Sequence, residues 1–289
     1  MNLFISSTFE KDNKSFYDVL QSLLKNQIFN VEIGSNHCYE DNYDYIKDYK
    51  NFNFLVHNYF PVPKNDIVIN IASQDDYIRK KSIKHIFSSI DFCKEIDSKL
   101  YTFHPGFLTD PSGSNLSSDN YDFQWKNSDL NNLNYKKSFD NMFLSLDKIV
   151  NYANKRKVKI SIETEGSINR KEHLLMQYPE EYIKFMNEYN NNDLNINLNI
   201  GHLILASKAF NFKIDEFINL IQDYIIAFEL SHNNGIEDDH LPLKDNEWYW
   251  DFIFDKRFKD VFKILEFRNV KISDLIKNIE LFKMKYNAI

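Results

Sequence analysis

Six short hydrophobic runs, spread along the whole chain, each end in a side chain able to bind a metal. They are Phe54–His57, Leu100–His104, Val158–Glu163, Leu194–Asn199, Ile225–His232 and Phe262–Glu266. Each reads as a buried strand with a polar tip. Polar groups at the C-terminal tips of parallel strands are how a (β/α)8 barrel assembles an active site. His202 follows the fourth run, and the Asp238-x-His240 pair follows the fifth.

The stretches between these runs carry helical spacing. Phe16, Val19, Leu20, Leu23 and Leu24 make an apolar stripe over Ser15 to Leu24. Helices are also predicted over residues 75–98, 134–155, 179–186, 214–221 and 273–286, with a short polar one near 40–50. Leu3 to Ser6 and Val31 to Ile33 complete a set of eight strands. Ile67 to Ala72 reads as a further strand-like segment beside the barrel mouth. Pro105-Gly106 forces a turn after His104. Alternating strand and helix means a parallel sheet, and eight units suit closure. The expected fold is α/β: a (β/α)8 TIM barrel in a single domain, residues 1–289, with a long loop at 107–133 after the fourth strand. Tyr121, Phe123 and Trp125 in that loop either close over a substrate or pack the loop on the rim.

Composition narrows the classes. Six glycines are too few for a glycine-rich phosphate cradle, and a net charge of −7 disfavours a surface that grips nucleic acid throughout. Two cysteines, Cys38 and Cys93, read as free thiols in a reducing compartment. The start lacks the basic and apolar regions of a signal peptide, and no run reaches the ~20 apolar residues of a membrane span. The expectation is a cytoplasmic protein.

The candidate site is His57, His104, Glu163, Asn199, His202, His232, Asp238, His240 and Glu266, nine residues that end or follow strands. Imidazole with carboxylate suits Zn2+ or Mn2+, and no cysteine belongs to the set. A carboxylate such as Glu163 is costly to bury alone, and a cation removes that cost. Glu165, Glu229, His85 and His173 are read as structural. Glu32 and His37 are possible substrate or supporting groups.

The order His, His-Pro-Gly, Glu-x-x-Gly, Asn-x-x-His, His, Asp-x-His, Glu resembles the xylose isomerase-like TIM-barrel superfamily. That group holds sugar-phosphate isomerases and epimerases and the endonuclease IV family of AP endonucleases. The endonuclease pattern implies three zinc ions. His57, His104 and Glu163 would hold the first. Glu163, Asn199, His232 and Glu266 would hold the second, and His202, Asp238 and His240 the third. The epimerase pattern implies one metal on Glu163, Asn199, His232 and Glu266. In both patterns the family has an acid where this chain has Asn199.

Three classes of function follow. The first is a metal-dependent isomerase or epimerase of a sugar or sugar phosphate. Glu163 and Glu266 would be its catalytic proton carriers, and Glu32, Trp125 and Arg268 would bind substrate. The second is a zinc phosphodiesterase acting on abasic DNA. Nucleic acid is the less favoured partner, because Arg170, Lys171, Lys208, Lys244 and Arg268 are scattered. The third is a barrel that binds a metal or sugar without turnover.

Overall fold

A computed structural model describes residues 2–10, 14–34, 36–65, 67–112, 124–125 and 134–288. Eight parallel strands close into a barrel in the order β1 (Leu3–Ser6), β2 (Asn30–Ile33), β3 (Asn53–His57), β4 (Tyr101–Phe103), β7 (Ile160–Glu163), β8 (Asn195–Asn199), β9 (Ile225–Leu230) and β10 (Phe262–Leu265), which returns to β1. The short antiparallel pair β5 (Pro111–Ser112) and β6 (Gln124–Trp125) lies in the long loop. Trp125 is therefore located by its backbone only. Its side chain, with Tyr121 and Phe123, lies outside the described residues.

Among the described residues eight α-helices punctuate the barrel: α1 (Phe16–Lys25), α2 (Asp76–Glu95), α3 (Tyr135–Arg156), α4 (Pro179–Glu188), α5 (Ile200–Phe210), α6 (Ile214–Ile221), α7 (Trp250–Ile253) and α8 (Ile272–Asn287). The stripe expected on α1 is buried at Phe16, Val19, Leu20 and Leu23. Residues 67–72 form no strand, although Ile67, Ile69, Ile71 and Ala72 are buried. They run as a turn-containing segment held by Tyr59, whose hydroxyl accepts from the Ile69 N–H, and by Asn70, which donates to Asp110. Gly106 adopts φ +101° against this segment, where a Cβ would come within 2.7 Å of Asn70 Oδ1.

Strand periodicity aims the interior residues. Phe4, Leu55, Leu100, Ala227 and Ile264 form an apolar plug inside the barrel. Two residues onward the same faces carry Ser6, His57, Thr102, Glu229 and Glu266. On the neighbouring strands Thr102 and Ser161 meet at 2.8 Å between hydroxyl oxygens, and two residues beyond these come His104 and Glu163. The apolar plug thus gives way to hydroxyls, then to imidazoles and carboxylates at the C-terminal mouth.

Candidate metal centre

His57, His104 and Glu163 form one group of potential ligands and His202, Asp238 and His240 another. Five of these six side chains are buried, and Asp238 is partly exposed. Oε2 of Glu163 lies 3.0 Å from Nε2 of His57 and 3.5 Å from Nε2 of His104. Oδ2 of Asp238 lies 3.1 Å from Nε2 of His202 and 2.8 Å from Nε2 of His240. Nδ1 of His240 is 3.2 Å from Oε2 of Glu266, and Nδ1 of His202 is 3.2 Å from Oε1 of Glu163. The two groups are therefore continuous, linked through His202 and Glu163.

Hydrogen-bond partners orient the imidazoles. His104 Nδ1 is 2.6 Å from Glu165 Oε1, His57 Nδ1 is 3.1 Å from Glu229 Oε1, and His202 Nδ1 is 2.8 Å from the Thr164 carbonyl. A nitrogen facing a carbonyl or carboxylate carries the proton, so the Nε2 of each neutral ring presents a lone pair. In all three rings that lone pair faces another carboxylate. Two acceptors facing each other need either a proton or a cation between them. A carboxylate behind a metal-facing imidazole is also the usual support for a histidine ligand.

A divalent ion fits these residues. His57 Nε2, Glu163 Oε2, Asp238 Oδ1, both ring nitrogens of His240 and Glu266 Oε2 are buried without a hydrogen bond. Buried polar atoms are normally satisfied. Two donors about 2.1 Å from a shared ion, at about 90–110° to each other, lie ~3.0–3.4 Å apart, close to the separations found around Glu163.

The electrostatics follow from burial and crowding. For His57, burial alone would lower basicity, but Glu229, Glu163 and Glu32 outweigh it and hold the ring well above 6.5. Burial also opposes charge on His202, yet Asp238 and Glu163 raise it well above 6.5. Asp238 is held well below the usual carboxylate range, because His240 and His202 overcome its burial. Glu163 is likewise held down against burial by His104, His202 and His57. Glu229 moves the other way, pushed well above the usual carboxylate range by burial and by Glu163.

The structure brings some of the expected residues together and not others. His232 joins neither group. It lies past the end of β9, pairs through its backbone with Leu241, and its ring is 3.8 Å from Glu247. Glu229, read from sequence as structural, faces the cluster instead, near His57 and bonded to Asn197 and Asn199. Period two was the available signal, since Ala227 and Glu229 share the inward face while His232 has the opposite parity. Glu165 also belongs to the site, through His104. Asn199 reaches the site with its amide nitrogen rather than its oxygen, because that oxygen caps α5. Glu32 is buried with Oε1 3.7 Å from His57 Nδ1, in a further group with His57 and Glu229. Arg268 is half-buried at the mouth, where its charge lowers the Glu266 carboxyl after burial and His240 are counted. His37 lies apart from the ligand groups, with Nε2 2.7 Å from Ser7 Oγ.

Known proteins share this architecture. A family model described as xylose isomerase-like TIM barrel matches residues 39–280. Two relatives come from Methanocaldococcus jannaschii. The uncharacterized protein MJ1614 is 26% identical over 275 residues, 93% of each chain. The uncharacterized protein MJ1311 is 24% identical over 219 residues, 74% of this chain and 66% of that one, so the chain spans just under two thirds of that relative. Among solved structures, a D-tagatose 3-epimerase-like protein aligns with a TM-score of 0.74 at 23% identity, covering 100% of this chain and 98% of its own. A D-psicose 3-epimerase from Clostridium cellulolyticum H10 aligns at TM-score 0.64 and 13% identity, covering 100% and 96%. These two likenesses are of fold. No helix among the described residues is long and apolar enough to cross a membrane.

Proposed function

The chain belongs to the xylose isomerase-like TIM-barrel family, and from that premise we propose that it is a metal-dependent isomerase or epimerase of a sugar or sugar phosphate. The observation that carries this reading is that Glu163 and Glu266 each keep a buried Oε2 that makes no hydrogen bond. Two carboxylates at one mouth, each with a free oxygen, suit the removal and return of a proton beside a carbonyl. His57, His104 and Glu163 would hold a Zn2+ or Mn2+, and His202, Asp238 and His240 another. A bound ion would act as a Lewis acid on the substrate's carbonyl oxygen.

The remaining roles fall to the chain's own residues. Glu163 takes the proton from the carbon and Glu266 delivers one. His202, bonded through Nδ1 to the Thr164 carbonyl and through Nε2 to Asp238, is oriented to act as a ligand beside Asp238. Glu229 and Glu165 orient His57 and His104. Glu32 and Arg268 complete the polar lining that receives the sugar. A mouth this rich in carboxylates favours a polyhydroxyl compound over a polyanion. By the same reading the enzyme works in the cytoplasm, where the free thiols Cys38 and Cys93 stay reduced.

A second reading, a zinc phosphodiesterase acting on abasic DNA, is supported by the separate groups His57, His104, Glu163 and His202, Asp238, His240, because a single-metal epimerase does not need both. The deciding experiment combines metal content with proton exchange. Purified protein should contain Zn or Mn, and chelation should lower its melting temperature. In D2O it should place deuterium next to the carbonyl of one member of a panel of ketoses, aldoses and their phosphates. Glu163→Gln and Glu266→Gln should each slow that exchange at least ~100-fold. A fully active Glu163→Gln protein overturns the assignment, and nicking of an abasic-site oligonucleotide without exchange selects the second reading.

A further inference from the structure

The amide of Asn199 sits between two buried carboxylates. Its orientation is set by the chain, since Oδ1 accepts from the N–H groups of Gly201 at 2.9 Å and His202 at 3.1 Å, at the start of α5. Two backbone donors require an oxygen, so the nitrogen must face the barrel interior. There its two hydrogens have two acceptors: Oε1 of Glu163 at 2.9 Å and Oε2 of Glu229 at 3.2 Å.

Glu229 is filled from other sides as well. Its Oε1 accepts from Asn197 Nδ2 at 2.8 Å and lies 3.1 Å from His57 Nδ1. Glu163 keeps only Oε2 without a hydrogen bond, and that oxygen is the one facing His57 and His104.

We propose that the Asn199 amide occupies the position between Glu163 and Glu229 that a cation would otherwise fill, so the mouth holds at most two divalent ions, one at His57, His104 and Glu163 and one at His202, Asp238 and His240; the further group of Glu32, His57 and Glu229 shares His57 with the first. This rests on the metal-dependent reading above. An aspartate at 199 would keep one oxygen on the α5 cap and turn a second, charged oxygen toward two carboxylates. Three buried acids facing one another need a proton or a cation between them. Asparagine supplies two N–H groups and no charge, which closes the gap without metal. Asn199 is thus a positioning residue that holds Glu163 and Glu229 together without a third ion.

The test compares wild type with Asn199→Asp, each stripped with chelator, reloaded with Zn2+, freed of excess metal by gel filtration and counted by elemental analysis. Wild type should saturate at no more than about two ions per chain, and Asn199→Asp should gain about one more. Metal-free Asn199→Asp should melt below metal-free wild type, and Zn2+ should close that gap. Three ions on wild type overturn the proposal, and so does an unchanged count in the variant. Should the variant fail to fold, the wild-type count decides alone, with one or two upholding the proposal and three overturning it. Wild type that binds no ion overturns the metal-dependent reading itself, a result distinct from a third ion.

Discussion

Nε2 of His57 and Oε2 of Glu163 lie 3.0 Å apart, yet neither atom makes a hydrogen bond. The same oxygen is 3.5 Å from Nε2 of His104. Behind the rings, Glu229 and Glu165 stand against Nδ1 of His57 and His104. Both imidazoles are thus pinned from behind and aimed at one carboxylate oxygen. Two consequences of this packing, and two of packing elsewhere in the barrel, are open to measurement.

Cation binding should tighten as pH rises. Carboxylates outweigh burial at His57 and His202 and hold both rings well above 6.5 in the metal-free protein. Both rings thus hold a proton more tightly than a free imidazole, and a cation must displace it. Apparent Zn2+ affinity should increase from about pH 6 to about pH 8, with proton release detected by calorimetry in buffers of different ionisation enthalpy. Affinity that does not change with pH would contradict the orientation described for these rings.

Glu165 should matter to metal binding through His104 alone. Glu165→Ala is expected to weaken Zn2+ binding about 10- to 100-fold. Glu165→Gln keeps an oxygen acceptor and should recover part of the loss. A competition titration with a chromophoric chelator reads both constants, and wild-type affinity in the Ala variant would remove Glu165 from the site.

Gly166 is required by the approach of the chain after β7 to the first turn of α5. A Cβ there would fall 1.9 Å from the His202 carbonyl oxygen and 2.7 Å from its carbonyl carbon. Backbone cannot yield cheaply, so Gly166→Ala should cost at least about 2 kcal/mol in urea unfolding of the metal-free protein. Unchanged stability would show that the two segments can separate without cost.

His37 should make the fold sensitive to acid. Burial lowers its pKa to about 4, so the ring stays neutral in the folded state while the unfolded chain takes up a proton near 6.5. The stability it contributes is complete above pH 6.5 and is lost as pH falls toward 4. The loss approaches about 1.4 kcal/mol per pH unit inside that window. His57 and His202 have the opposite sign, so the useful quantity is the difference between wild type and His37→Gln. Between pH 7 and pH 5 wild type should lose about 2 kcal/mol more than the variant. Parallel pH curves for the two proteins would show that the ring is not buried neutral.

Much of the site was visible in the chain because barrel strands end where hydrophobic runs meet polar residues. His57, Glu163 and Asn199 are the last residues of β3, β7 and β8. His104 and Glu266 come one residue after β4 and β10. Helix α5 was harder to read. Ile200, Leu203, Leu205 and Ala206 are all buried, and the run lacks the polar face that separates a surface helix from a buried segment. Ile67 to Ala72 looked like a strand because its residues are apolar, whereas their backbone groups are satisfied by Tyr59, Ser82 and Asn70 rather than by a neighbouring strand.

By itself the sequence determined the barrel and most of its inventory of nitrogen and oxygen donors. Hydrophobic period and polar tips are local properties that survive without knowledge of neighbours. Which donors face one another was decided only by tertiary structure. The parity of β9 turned Glu229 inward and left His232 at the rim, and the start of α5 took the oxygen of Asn199 and sent its nitrogen to Glu163. Both outcomes depend on how adjacent strands are registered and which backbone groups need a partner, and those demands arise only when the barrel closes.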